Sequence, residues 1–214
     1  MHTNTTRLML LAALLACAAM LIGAGCPPPT RQSAQDDGGA SADNASAGAH
    51  DTGTVQEDEG MVIKSGAFRQ GDELPEKYTA DGENISPPLT FVDVPRQTKE
   101  LALIMHDPDA PVEGGYTHWL LWDLAPHIPG LPGEVPATEE VERIGAIQGS
   151  NSAGEIGYTG PAPPEGDAPH NYEFTVYALS EKLGLEPGAT KDELDAAMEG
   201  NIIEEATLTV TFGR

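Results

Sequence analysis

Two stretches near the C-terminus alternate with a period of two. Phe174, Val176 and Ala178 oppose Thr175, Tyr177 and Leu179, and Leu208, Val210 and Phe212 oppose Thr207, Thr209 and Thr211. Successive side chains of an extended chain point to opposite faces, so β-branched and aromatic residues in this rhythm argue for half-buried strands. Apolar runs at residues 62–63, 89–92, 101–105 and 118–124 are further strand candidates, separated by long Pro- and Gly-rich connections. Such spacing suits an antiparallel sandwich. One helix is signalled: Thr190 and Glu193 have capping-box spacing, Leu194, Ala197 and Met198 recur at helical intervals, and Gly200 or Asn201 supplies a left-handed stop. The expected fold is mainly β, an antiparallel Greek-key sandwich with one C-terminal helix.

The 214 residues are not uniform along the chain. Residues 1–26 read as an export signal, with Arg7 as the positive start and a Leu- and Ala-rich run too short for a comfortable membrane span. Gly23-Ala24-Gly25-Cys26 resembles a bacterial lipoprotein cleavage box, in which the cysteine is lipidated and becomes the new N-terminus. Gly23 departs from the aliphatic residue that box favours. Leu14-Leu15-Ala16-Cys17 is a better local match, but leaves an apolar run of only about nine residues, and Cys26 is preferred. A plain secretory peptide with an incidental cysteine is the alternative. Residues 27–60 open on Pro27-Pro28-Pro29, lack aromatics and carry one aliphatic larger than alanine, Val55. That composition cannot bury enough surface to offset ordering entropy, so a disordered acidic tether is expected. Residues 61–214 form the expected domain, and these 154 positions suffice for one well-buried core.

Charge narrows the partners. Within 61–214, nine lysines and arginines (11 less Arg7 and Arg31) face 27 carboxylates (34 less seven in the tether), a net −18. So negative a surface repels nucleic acid and anionic lipid at long range. Nucleic-acid binding is excluded, membrane attachment is expected through the lipid anchor only, and any bound anion must be recognised in a local pocket. Both cysteines, Cys17 and Cys26, fall in the signal region, so the domain has no disulfide and no stray thiol. This suits an exported, envelope-located protein.

The chemistry concentrates at Asp107-Pro108-Asp109-Ala110-Pro111. Its prolines fix their own φ and push the preceding residues out of the α region, making a stiff turn with two carboxylates at its rim. His118 leads a second apolar run, and His170-Asn171-Tyr172 leads a third. Polar groups at strand ends are how a β-scaffold builds a pocket.

These residues resemble the phosphatidylethanolamine-binding protein family, in its bacterial Raf-kinase-inhibitor-like branch. So do the segments 77–89 (KYTADGENISPPL), 148–151 (QGSN), 157–164 (GYTGPAPP) and 205–208 (EATL), in that order across residues 62–214. The resemblance implies the same sandwich and a pocket formed by Asp107, Asp109, His118, Gly160, Pro161, Pro163, His170 and Tyr172. Asp107 or Asp109 is expected to orient the His118 imidazole and favour its protonated form. The alternative is that these aspartates cap local backbone. The Gly- and Pro-rich loop from 157 to 166 is expected to form a wall whose backbone N–H groups approach an anion. Tyr158 is ambiguous between pocket wall and sheet packing. Asn171 stands where relatives carry arginine, and Ala162 where many carry cysteine.

The leading reading is a non-enzymatic, lipid-anchored envelope protein binding a small anionic or amphiphilic ligand, a phosphate or phospholipid head group. Protonated histidines would then strengthen binding as pH falls through about 6.5. No cofactor and no metal are expected. A hydrolase using a histidine–carboxylate pair is a second reading, although no Gly-x-Ser-x-Gly motif accompanies it. A metal set of Asp107, His118 and His170 is a third, and inhibition of an envelope protease through residues 126–147 a fourth.

Overall fold

The computed structural model describes residues 60–214. The expected signal at 1–26, Cys26 with it, and the tether up to residue 59 lie outside the described residues. Nine strands occur among those described: β1 (Val62–Lys64), β2 (Leu89–Val92), β3 (Glu100–Asp107), β4 (Tyr116–Leu124), β5 (Gly130–Leu131), β6 (Glu140–Val141), β7 (Ala146–Gln148), β8 (His170–Leu179) and β9 (Ile202–Phe212). They form an antiparallel three-stranded sheet, β1-β2-β5, and an antiparallel six-stranded sheet, β6-β7-β4-β3-β8-β9. Within the larger sheet the order β8-β3-β4-β7 is that of a Greek key.

Burial explains why β3 does not alternate. Leu101, Leu103 and Met105 point into the main core, with Ile63, Phe91, Trp119, Phe174 and Val210. Ala102 and Ile104 point the other way, against Leu120, Trp122 and the helical residues Leu194 and Met198. A strand covered on both faces reads as a continuous apolar run. The helix α1 (Lys191–Met198) opens on Thr190, and both arms of its capping box are formed. Gly200 adopts φ +76° just beyond it.

The paired strands outrun the apolar pattern. β8 begins at His170 and β9 at Ile202 because the two hydrogen-bond along their full length, recruiting polar residues into the ladder. β5, β6 and β7 have two or three residues each, too short for any periodicity to reveal.

Candidate functional site

A cavity of about 330 Å³ opens at the end of the inner face of the larger sheet, where β3, β4 and β8 meet two loops. Its floor holds Asp107, His118, His170 and Tyr172, and its collar is apolar: Ala110, Pro111 and Val112 on one side, Ala162, Pro163 and Pro164 on the other. Gly160, Thr159, Ala80 and Tyr116 complete the lining. Asp109 and Pro161 do not line it, contrary to expectation. Asp109 instead faces Asn171, and Pro161 offers its carbonyl to the backbone N–H of Ala80 at 3.0 Å.

Strand geometry puts these side chains together. Asp107 continues the inward series Leu101, Leu103, Met105, and the β3–β8 register that pairs His106 with Glu173 brings it beside Tyr172. His170 and Tyr172 continue the inward series Phe174, Val176 in the same way. His118 arrives differently. Met105 pairs with Trp119, but His106 pairs with Thr117, so His118 is the extra residue of a β-bulge. Simple alternation from Trp119 and Leu121 would turn His118 toward the helix. The bulge re-aims it into the cavity.

The aspartates do not act as expected. Asp107 orients His170, not His118: the Nδ1–H of His170 donates to Oδ2 of Asp107 at 2.8 Å, both groups buried. Oδ1 of Asp107 also accepts the Asp109 backbone N–H at 2.9 Å, so the local capping role belongs to Asp107 as well. His118 is held by backbone. Its Nδ1–H donates to the Thr159 carbonyl at 2.8 Å, and the Thr159 N–H returns a bond to the His118 carbonyl at 3.0 Å.

These contacts decide the electrostatics. Burial pushes the His118 pKa down to about 4, outweighing the Thr159 bond and the Asp107 carboxylate, which favour the cation. The ring is therefore neutral at pH 7, and its titration does not fall near 6.5. Burial, and then the nearby Asp107 carboxylate, raise Tyr172 well above the ordinary phenol range, so its proton stays on. The Tyr172 hydroxyl is buried without a hydrogen-bond partner among the described residues. Asp109 is held below the usual carboxylate range by the backbone and side-chain N–H groups of Asn171, both at 2.8 Å. Asn171 thus serves as a partner for Asp109 outside the cavity.

The loop over residues 157–164 is a wall that spends most of its backbone N–H groups within the protein. It is stitched to the segment beside the 3₁₀ turn Glu76–Tyr78: the Tyr158 hydroxyl donates to the Tyr78 carbonyl, and the Gly160 N–H donates to Oδ1 of Asn84 at 2.7 Å. The Gly157 and Thr159 N–H groups are likewise taken by backbone carbonyls. Glycine is required at 160 because a Cβ there would lie 2.6 Å from the Tyr78 carbonyl oxygen. Tyr158 packs in the core against Trp119. Residues that sequence reasoning did not single out as site-builders are Thr159, Tyr116, Asn84 and Arg214, which bridges Asp81 and the Pro163 carbonyl. Asn84 and Asp81 lay within the resembling segment 77–89 and carried that signal. Among the described residues, no cluster of three histidine, cysteine or acidic side chains is arranged to hold a metal ion.

Comparison with known proteins agrees with this fold. A family model described as phosphatidylethanolamine-binding protein matches residues 64–213. A UPF0098 protein of Methanothermobacter thermautotrophicus is 45% identical over 154 residues, covering 72% of this chain and 99% of that protein. One from Chlamydia trachomatis is 45% identical over 156 residues, 71% and 98% of the two chains. Among solved structures, a phosphatidylethanolamine-binding protein homologue from Chlamydia trachomatis is 43% identical with a TM-score of 0.66, covering 72% of this chain and 98% of that one. Escherichia coli YbcL, described as a member of the mammalian PEBP family, is 30% identical with a TM-score of 0.67 and the same coverage.

Proposed function

The chain belongs to the phosphatidylethanolamine-binding protein family, and on that premise we propose that it is a binding module for a small oxyanion, free or as the head of an amphiphile. One observation carries the reading: a cavity whose floor is a buried imidazole with one ring nitrogen unbonded and a histidine–aspartate pair, under an apolar collar. Buried polar groups cost free energy unless they are bonded, so a floor of this kind is built for a guest.

Within the family we assign the chain to the bacterial Raf-kinase-inhibitor-like branch, as an exported lipoprotein attached through Cys26 and facing the envelope. Its acidity supports small ligands over nucleic acid as partners. The test is calorimetry of the full chain with phosphoethanolamine. Wild type should bind, and His118→Ala should bind about tenfold more weakly or worse, as for loss of a charge-assisted hydrogen bond. Absence of binding by wild type refutes the reading.

A further inference from the structure

Residues 126–147, the stretch on which inhibition of an envelope protease would depend, build a second concavity together with β2 and β5. A groove of about 620 Å³ opens there. Its floor is apolar: Leu89 and Leu131 are buried, and Ile128 and Ile144 pack half-buried against the main core. Its lining includes the exposed Arg143 and His127 and no carboxylate. The groove is remote from the cavity. Tyr116, at the start of β4, lines the cavity, and Ala125, just past its end, lines the groove, roughly 30 Å away along an extended strand.

The charge here is unlike that of the other grooves. One beside α1 is lined by Asp195, Glu199 and Glu205. Another, at the end of β9, is lined by Glu73, Glu76, Asp81 and Glu165, with Arg214 already paired to Asp81. Arg143 has no ion-pair partner among the described residues. The exposed Lys64 stands across the β1–β2 ladder from the groove residue Thr90. Glu142 neighbours Arg143 in the chain but lies outside the lining. At physiological salt the screening length is about 8 Å, so the lining charges outweigh the acidity of the domain as a whole. The floor also offers backbone. β5 pairs with β2 on one edge and with no strand on the other, and Gly130 and Leu131 both line the groove. Pro129 and Pro132 have no N–H, which confines any added strand to those two residues.

We propose that this groove docks an extended segment of a partner protein in which an apolar side chain is flanked by carboxylates. The apolar side chain enters the floor, and Arg143 and Lys64 meet the carboxylates. So small a contact is weak and transient. The proposal stands apart from the oxyanion reading of the cavity.

A random peptide library displayed on phage and selected on the full chain supplies the probe. Selected sequences should place Asp or Glu on either side of an apolar residue. By fluorescence polarisation, a peptide of that kind should bind Arg143→Glu about tenfold more weakly than wild type, while Arg143→Lys keeps most of the affinity. The same peptide with Lys for its acidic residues should bind Arg143→Glu better than wild type. Arg143 is exposed, so the fold tolerates these changes. No enriched sequence, enrichment of basic or uncharged sequences, or equal binding to Arg143→Glu overturns the proposal. Sedimentation showing dimers of the full chain that Arg143→Glu dissolves would give the groove to a second copy. Binding to phosphatidylserine vesicles that Arg143→Glu abolishes would give it to a lipid surface. Either result overturns the peptide assignment.

Discussion

The buried His118 makes a quantitative forecast about acid sensitivity. Its folded pKa is about 4, against an ordinary value of 6.5. The unfolded chain therefore takes up a proton below pH 6.5 that the folded chain refuses until about pH 4. Because the folded pKa is depressed, stability is fully present above 6.5 and is lost as pH falls through that window. Linkage puts the loss at about 2 kcal/mol by pH 5, since the unfolded ring is then almost wholly protonated and the folded ring about a tenth. Contributions from every other ionisable group are common to wild type and to a variant altered only at His118, so they cancel in the comparison. The control is His118→Asn, which keeps a donor for the Thr159 carbonyl and cannot titrate. Urea unfolding of wild type and variant at pH 7.5 and pH 5 isolates the imidazole. Wild type should lose about 2 kcal/mol more than the variant, a midpoint shift of roughly 1 M for an ordinary urea slope. Parallel losses in the two proteins would show that His118 is not held neutral.

Two other outcomes are expected. Gly160→Ala should destabilise the fold by about 1–3 kcal/mol and weaken phosphoethanolamine binding, because its Cβ would press on the Tyr78 and Thr79 backbone and move the wall; a thermal melt and calorimetry check it. Cys26→Ser should release the protein from the membrane fraction on cell fractionation. Release by Cys17→Ser instead would shift the anchor to the other cysteine.

Much of this could be read from residues alone, and what could not has a physical cause. The Thr190–Glu193 box is local chemistry across four residues, and α1 begins there. The alternation in β8 and β9 likewise needs no tertiary information. Asp107, His118, His170 and Tyr172 stand at strand ends, which the pattern reveals, and the fold gathers them at one cavity. Their pairings are another matter. Asp107 meets His170 rather than His118 across 63 positions of sequence, and no local rule reports such a contact. The fate of the Gly160 N–H depended on Asn84, 76 positions away. The neutral state of His118 depended on burial, which follows from the assembled sandwich and not from neighbouring residues.

The extra residue at His118 puts the start of β4 out of phase with its middle. Trp119 and Leu121 keep time with the core, while Tyr116 and His118 keep time with the cavity. The strand is in effect two instruments sharing one backbone, and changes of side chain at the rim leave the beat of the core untouched. A single deletion between Tyr116 and Trp119 would do the opposite. It would re-synchronise the strand, preserve the ladder with β3, and erase the ligand-facing imidazole without altering any core residue. Relatives that retain the sandwich but differ in length at this point would therefore differ in what they can hold.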